Sequence, residues 1–114
     1  DIMTQEKLNE ILKLHKMWLN NEDGGRKADL TGAILTKTDL TEADFDYSCL
    51  PLWCGSLKAN FDDRVTIQIL YHLLSIAKNS TNVSAELKQI LLADSLINQA
   101  NKFHRIEECG KIER

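Results

Sequence analysis

The stretch that decides the fold runs from residue 28 to residue 52 and reads ADLTG AILTK TDLTE ADFDY SCLPL. A large apolar residue returns at every fifth position, and a small residue stands two positions before each of them. The large residues are Leu30, Leu35, Leu40, Phe45 and Leu50, and the small ones are Ala28, Ala33, Thr38, Ala43 and Ser48. This period fits neither the helical period of about 3.6 residues nor the strand period of about 2, so it predicts a repeat architecture.

The pattern resembles the pentapeptide-repeat family, whose motif is Ala, then Asp or Asn, then Leu and two variable residues. The resemblance implies a right-handed quadrilateral β-helix with one pentapeptide on each side and four in each coil. In that fold the large residue fills the middle of the tube, and the small residue lets the chain turn beside it. We therefore expect a mixed α and β fold with a short β-helix over residues 28–61.

The end of the repeat is irregular. Residues 59–62, Ala-Asn-Phe-Asp, look like one more unit, but Ala59 is one position out of register with Ala28. Residues 53–58 must then contain a bulge or loop, and we expect a second, irregular coil that ends near Phe61. Because so short an array buries little core by itself, other elements must cover its open ends.

One helix is predicted before the repeat, over residues 4–20. Its apolar residues recur at helical spacing and form a stripe that includes His15 and Trp18. Thr4 is a suitable N-cap, and the polar run that ends in Gly24-Gly25 is expected to stop the helix.

Two helices are predicted after the repeat, as a helical cap over residues 62–110. Asp62 or Asp63 can cap the first, whose apolar residues surround much of its circumference and predict a buried element. Ser84 can cap the second, and Gly110 is a plausible terminator. We expect the flanking helices to plug the β-helix at both ends.

Length and composition are those of an ordinary globular chain. The 114 residues are 43% apolar and 27% charged, which is enough for one domain over residues 1–114. The net charge is −3 and the 14 basic residues are scattered, which argues against general nucleic-acid binding. No run approaches the ~18 apolar residues of a membrane span, so we expect no membrane contact and a cytoplasmic location.

The sequence offers little support for catalysis or metal binding. Cys49 and Cys54 have the spacing C-x4-C, outside the usual zinc-finger spacings, and Cys54 is expected to be a small buried residue. Cys54 with His72 or His104 could form a nucleophile and base, but no motif places them together. We expect a protein that is not an enzyme and has no cofactor and no metal.

The outward positions of the repeat are acidic. Five carboxylates stand against the single cation Lys37 over residues 28–47; they are Asp29, Asp39, Glu42, Asp44 and Asp46. One hypothesis is a protein-binding surface, as in long pentapeptide-repeat proteins that imitate DNA when they occupy topoisomerases. The other is that the motif itself prefers Asp or Asn before the central Leu, and the short array favours this second interpretation.

A second cluster contains residue types that stack on bases and clamp phosphates. Its members are Trp18, Arg26, Trp53, His72, His104 and Arg105. They stand near the predicted junctions between the helices and the β-helix, where a ligand pocket could form. In the alternative interpretation Trp18 belongs to the core and Trp53 plugs the tube.

The chain as a whole is similar to small pentapeptide-repeat proteins carried by phages and other mobile elements of bacteria. The similarity lies in the Trp-containing N-terminal helix, the Gly24-Gly25 hinge and the short array. It implies an inhibitor that acts in the host cytoplasm by binding a bacterial defence protein. Two alternatives stay open: a sponge that sequesters a signalling nucleotide, and a homo-oligomer with a role in assembly that forms through an exposed β-helix end.

Overall fold

The computed structural model describes residues 2–52, 54 and 56–113. The chain divides into two compact units, Asp1–Val65 and Thr66–Arg114. Its helices are α1 (Gln5–Leu19), α2 (Asp63–Asn79), α3 (Ala85–Leu91), α4 (Asp94–Ala100) and α5 (Ile106–Cys109). The first unit contains α1, the five-residue repeat and the start of α2, and the rest of the helices belong to the second unit.

Helix α1 confirms the prediction for residues 4–20. The Thr4 hydroxyl accepts a hydrogen bond from Lys7 N–H at 3.2 Å and so caps the helix. Leu8 is fully buried, and Ile11 and Leu12 pack against the same core. The apolar stripe that predicts the helix is therefore the face that packs on the repeat.

Every unit of the repeat turns in the same way. Positive φ angles recur five residues apart, at Gly32 (75°), Lys37 (66°), Glu42 (62°) and Tyr47 (65°). In each case the N–H of the following residue donates to the carbonyl oxygen of the inward apolar residue, as in Ala33 N–H to Leu30 O at 2.9 Å. This is the geometry of a type II β-turn, which requires a left-handed residue at its third position.

The inward residues of the repeat form the core of the first unit, as predicted. Leu30, Leu35 and Leu40 are at most 1% exposed, and Phe45 is 5% exposed. Leu50 and Phe61 are partly buried and pack against them. Each buried Leu contributes about 2 kcal/mol relative to exposure.

Successive passes of the chain pair in parallel, but they do so through isolated bridges. Asp29 pairs with Cys49, 20 residues later, which equals four units, whereas Asp39 pairs with Asn60, 21 residues later. One additional residue therefore lies between Cys49 and Asn60, the interval that includes the bulge predicted for residues 53–58. No continuous strand forms among the described residues, because the turn in each unit uses most of its five residues.

The other edge of the first four units, residues 28–47, which we call the first coil, is closed by groups from the N-terminal segment. Met3 N–H donates to Ile34 O at 3.0 Å, and Ile2 forms a parallel bridge with Ile34. The side chain of Gln5 pairs with the following unit of the repeat. Its Nε2 donates to Asp39 O at 2.9 Å, and its Oε1 accepts from Asp39 N–H at 2.7 Å. One side-chain amide thus satisfies both backbone groups, as a neighbouring strand would.

His15 closes a further part of this edge. Ala28 N–H donates to its Nδ1 at 3.0 Å, and its Nε2 bonds to the carbonyl oxygen of Asp46 at 2.8 Å. Because a carbonyl oxygen can only accept, Nε2 carries the proton and Nδ1 is the acceptor. The ring is fully buried, so both backbone groups depend on it for a hydrogen bond.

The second unit has its own core. Its buried residues are Tyr71, Leu74, Ile97, Ala100, Phe103 and Ile112. The Tyr71 hydroxyl donates to Gly110 O at 2.6 Å, and Asn101 exchanges two hydrogen bonds with the backbone of Ile112, at 2.8 and 3.1 Å. These bonds hold the C-terminal segment on the helices.

The single helix predicted from Ser84 to Gly110 is wrong, because this segment forms α3, α4 and α5. Both predicted ends are confirmed: Ser84 accepts from Leu87 N–H at 3.1 Å, and Gly110 follows α5 with a φ of 89°. The break falls at Ala93, which is extended (φ −63°, ψ 146°). Leu91, Leu92 and Leu96 all pack on the core, and residues 91 and 96 would be about 140° apart in a continuous helix.

Helix α2 also differs from the prediction of an element buried all around. Within the second unit Leu70, Leu74 and other residues of one stripe pack on the core. A second apolar stripe on α2, formed by Ile69, Leu73 and Ile76, is exposed. Only one face of the helix meets the core of its unit, so the apolar residues on the other side stay in contact with solvent.

We predict that two glycine substitutions in the first unit differ in cost. In Gly25→Ala the new Cβ would lie 2.4 Å from Trp18 N and 2.7 Å from Met17 C, so backbone must move. In Gly32→Ala nothing lies within 4 Å, and the cost comes only from the φ of 75°. Urea denaturation should show a loss of about 1 kcal/mol in unfolding free energy for Gly32→Ala and roughly 3 for Gly25→Ala. Equal losses would contradict the close approach at Gly25.

We also predict that His15→Leu lowers the free energy of unfolding by about 3 kcal/mol, because it leaves Ala28 N–H and Asp46 C=O buried without their partner. His15→Asn should cost less, since its side-chain oxygen can replace Nδ1 as the acceptor. His72→Leu is the matched control, because the His72 ring is exposed, and it should change the free energy by less than about 1 kcal/mol. A His15→Leu variant as stable as this control would refute the capping role.

Candidate functional site

Two of the predicted acidic residues are exposed and bonded to their own turns. Asp29 Oδ1 accepts from Thr31 N–H at 3.0 Å, and Asp39 Oδ1 accepts from the N–H and the hydroxyl of Thr41 at 3.0 and 2.8 Å. Hydrogen bonds from the Thr31 side chain and backbone lower the pKa of Asp29, and those from the Thr41 backbone and side chain lower the pKa of Asp39. Both carboxylates are therefore held in fixed positions on the surface.

The other three acidic residues lie in different surroundings. Glu42 is exposed, whereas Asp44 forms an ion pair with Arg64 at 2.8 Å. Asp46 is buried, which corrects the prediction that it points outward. The physical reason is that α1 covers the turn that contains Asp46, where His15 contacts the Asp46 carbonyl oxygen. The exposed acidic residues of the repeat are thus Asp29, Asp39 and Glu42, of which Asp39 and Glu42 lie on the same turn.

Asp62 connects the repeat to α2. Its Oδ2 accepts from Glu42 N–H at 2.6 Å, and its Oδ1 accepts from Val65 N–H at 3.1 Å. The second bond is an N-cap, which confirms one of the two predicted caps. These two backbone hydrogen bonds, that from Glu42 first, lower the pKa of Asp62. The bond to a turn 20 residues away could not be predicted from local sequence.

A groove of about 310 Å³ runs between α1 and the repeat. Lys13 and Lys16 line it on the side of α1, and acidic residues of the repeat that include Asp39 and Glu42 line the opposite side. Charges of opposite sign therefore face each other across the groove. Asp39 and Glu42 thus have these lysines nearby, which reduces the net negative field on this side of the array.

Trp18 is 37% exposed, which corrects the interpretation of it as a core residue. It lies in the last turn of α1, where its ring stacks on His15 with centroids 5.8 Å apart and an interplanar angle of 17°. Tyr47 meets the indole edge-on at 6.2 Å, and the Lys27 Nζ lies over the ring at 5.6 Å. Sequence reasoning missed Tyr47 and Lys27, because the turn that carries Tyr47 is far from α1 along the chain.

Arg26 and Lys27 line a cavity of about 230 Å³ in the same unit. Its apolar side is formed by Ile11 and Leu14 of α1. Arg26 N–H donates to Leu14 O at 3.0 Å, so the chain after the Gly24-Gly25 turn crosses back over α1. Trp18 and Arg26 of the predicted ligand cluster thus lie in the first unit.

The other predicted ligand residues belong to the second unit. His72 and His104 both meet the Phe103 ring edge-on, at centroid distances of 5.3 and 4.9 Å. Arg105 forms an ion pair with Glu108. Neither unit by itself brings the whole predicted cluster together, and Trp53 lies outside the described residues.

The cysteines Cys49, Cys54 and Cys109 are free thiols and exposed. This corrects the prediction that Cys54 is buried, since it lies in the irregular interval and not at an inward position of a unit. In the described part of the chain, no group of three His, Cys, Asp or Glu side chains is placed to hold a metal ion. Over the same residues, every helix is too short or too polar to cross a membrane.

We predict that the protein loses stability on acidification below about pH 4, because the folded-state pKa values of Asp29, Asp39 and Asp62 are lowered. A lowered pKa stabilises the fold above the unfolded-state value of about 3.9, and this contribution is lost as the pH falls through the folded-state value. Asp62→Asn should flatten the acid side of the stability profile, measured by urea denaturation between about pH 2.5 and 7. Asp63→Asn, an exposed neighbour, is the control, and the same slope in both variants would contradict the role of Asp62.

Comparison with known proteins places the repeat in a family. Residues 26–51 match the family model described as Pentapeptide repeats (8 copies). No curated protein and no solved structure matches the chain. The match covers the inward residues from Leu30 to Leu50 and the turns between them, and it confirms the resemblance seen in the sequence. The chain therefore carries a pentapeptide-repeat region over residues 26–51, with helices on its N-terminal and C-terminal sides.

Proposed function

We propose that residues 28–61 form a short right-handed quadrilateral β-helix, and that the protein is a non-enzymatic inhibitor of phage or mobile-element type. In this proposal it acts in the cytoplasm of a bacterial host by binding a protein of a defence system. The spacing of 20 residues between the paired positions Asp29 and Cys49, which equals four units, supports the four-sided coil. The type II turns every five residues support one unit on each side.

The observation that carries the binding proposal is the set of exposed carboxylates Asp29, Asp39 and Glu42. Asp39 and Glu42 form an acidic surface beside one groove, and Asp29 lies two units earlier, on the opposite side of the proposed four-sided coil. The carboxylates of Asp29 and Asp39 are bonded to threonines of their own turns, and the backbone N–H of Glu42 is bonded to Asp62, which fixes the turn that carries the Glu42 side chain. Association costs less free energy when the contact groups are already ordered, so these carboxylates suit a basic surface on a partner protein. No catalytic step is needed for inhibition of this kind.

The two alternatives draw on other parts of the molecule. A nucleotide sponge would use the aromatic and basic residues, of which Trp18 and Arg26 lie in the first unit and His72 and His104 in the second. A homo-oligomer would pair exposed backbone at an end of the coil. Ile2, Gln5 and His15 already bond to the N-terminal edge, so such pairing would use the opposite end.

We predict that the triple variant Asp29→Asn, Asp39→Asn, Glu42→Gln weakens partner binding about tenfold or more. Asn keeps the Oδ1 acceptor of both turns, so the variant removes charge and retains the fold. The measurement is plaque formation by a restricted phage on defence-bearing cells that express each protein. Wild type should restore plaques, and the triple variant should not.

The control carries the same charge change on exposed glutamates of the helices, as Glu10→Gln, Glu86→Gln, Glu107→Gln. It should restore plaques as well as wild type does, and circular dichroism should show that both variants are folded. If the acidic variant protects the phage as well as the control does, the acidic surface is not the binding site. If no defence system is inhibited by the wild type, the proposed function is wrong.

A further inference from the structure

One corner of the first unit combines exposed aromatic rings with cations. It is formed by Trp18, Tyr47, Arg26 and Lys27, and we call it the aromatic-basic corner. Trp18 is 37% exposed and Tyr47 is 58% exposed, with their two rings at 68° to each other. Lys27 is exposed with its Nζ 5.6 Å from the centre of the indole, and Arg26, the preceding residue, is exposed as well.

The corner is held in place from beneath. The indole of Trp18 stacks on the His15 ring, which is fixed by its bonds to Ala28 N–H and Asp46 O. Gly25 brings the following cations close, because a Cβ at this position would lie 2.4 Å from Trp18 N. A ring whose orientation is set by a buried, doubly bonded support loses little freedom when a ligand packs against it.

A cavity adjoins the corner and shares its cations. Arg26 and Lys27 line this space of about 230 Å³, and Ile11 and Leu14 provide its apolar side. Residues 11, 14 and 18 follow the i, i+3, i+7 spacing of one helix face, so the indole continues the apolar side beyond the cavity. Asp29 also lines the space, so it carries two cations and one anion.

Tyr47 occupies an unusual position for an aromatic residue. Its φ is 65°, at the place in the unit that Gly32, Lys37 and Glu42 fill in the earlier turns. The left-handed backbone is therefore a property of the turn, but a large ring at this position is costlier than a glycine. The ring at this position is not required by the turn, and its edge contact with Trp18 makes it part of the corner.

We propose that the aromatic-basic corner binds a nucleotide. The base packs against the rings of Trp18 and Tyr47, and the phosphate is held by the guanidinium of Arg26 and the ammonium of Lys27. Both ligand features are needed, since flat apolar rings with adjacent cations match a base linked to a phosphate better than an aliphatic anion. This proposal deepens the alternative of a nucleotide sponge. The variants that test it leave Asp29, Asp39 and Glu42 unchanged, so its test is independent of the proposed inhibition of a defence protein.

The experiment is isothermal titration calorimetry of the full chain with adenosine monophosphate, followed by the other three common ribonucleoside monophosphates. Adenosine and inorganic phosphate serve as the two partial probes. At least one nucleotide should bind more tightly than either partial probe. The double variant Arg26→Gln, Lys27→Gln should weaken nucleotide binding about tenfold or more. The double variant Lys37→Gln, Lys111→Gln removes the same charge from exposed lysines outside the corner and should bind as wild type does.

The aromatic part is tested by Tyr47→Asn, which removes the ring and keeps a residue type that tolerates positive φ. It should weaken nucleotide binding about fivefold or more and leave inorganic phosphate binding unchanged. Equal binding of phosphate and nucleotides would overturn the proposal in favour of a simple anion site. Absence of nucleotide binding at about 1 mM would overturn it outright, and binding of a glutamate-rich peptide in that case would assign the corner to an acidic protein partner.

Discussion

A coil of five-residue turns leaves backbone donors and acceptors unpaired at each end, and the first unit depends on how one of these ends is closed. The backbone of Ile2 and Met3 pairs with the backbone of Ile34. The side-chain amide of Gln5 bonds to the backbone of Asp39, and the imidazole of His15 bonds to the backbone of both Ala28 and Asp46. Helix α1 supplies the last two groups and covers the apolar core at the same time. The amphipathic helix thus covers the apolar core and also supplies hydrogen-bond partners to the repeat backbone. This explains why so short a repeat has a closed edge.

The sequence predicts what depends on local periodicity. The five-residue period identifies the inward core residues Leu30 to Leu50, the displacement of Ala59 predicts the additional residue after Cys49, and Thr4 and Ser84 cap their helices as expected. The wrong predictions concern contacts between distant segments. Asp46 is buried because α1 covers it. Trp18 is partly exposed because it lies in the last turn of α1, after His15, which makes the contact with Asp46. The break at Ala93 follows from the packing of Leu91 and Leu96 on the core. None of these has a local signal.

The same distinction applies to the candidate sites. All the acidic positions of the repeat can be read from the period. The period does not show that Arg64 pairs with Asp44, or that the helix of His15 covers Asp46. Two residues of the aromatic-basic corner, Trp18 and Arg26, are predicted from the sequence as ligand residues. Tyr47 and Lys27 are not, because only the folded chain brings them to Trp18. The first unit therefore carries an acidic turn with Asp39 and Glu42 and, at another place, a corner with Arg26 and Lys27, and a net charge of −3 shows neither.

The side-chain cap also limits how this repeat can evolve. Gln5 and His15 contact residues 39, 28 and 46 at fixed places in the first coil, so duplication or loss of one unit within that coil would carry their partners to another side. Copy number in this coil is therefore fixed by a helix outside the repeat. Beyond Cys49, where the coil already accommodates an additional residue, the chain is free of that restriction. Expansion of the array through tandem duplication is compatible with the cap only in this later segment.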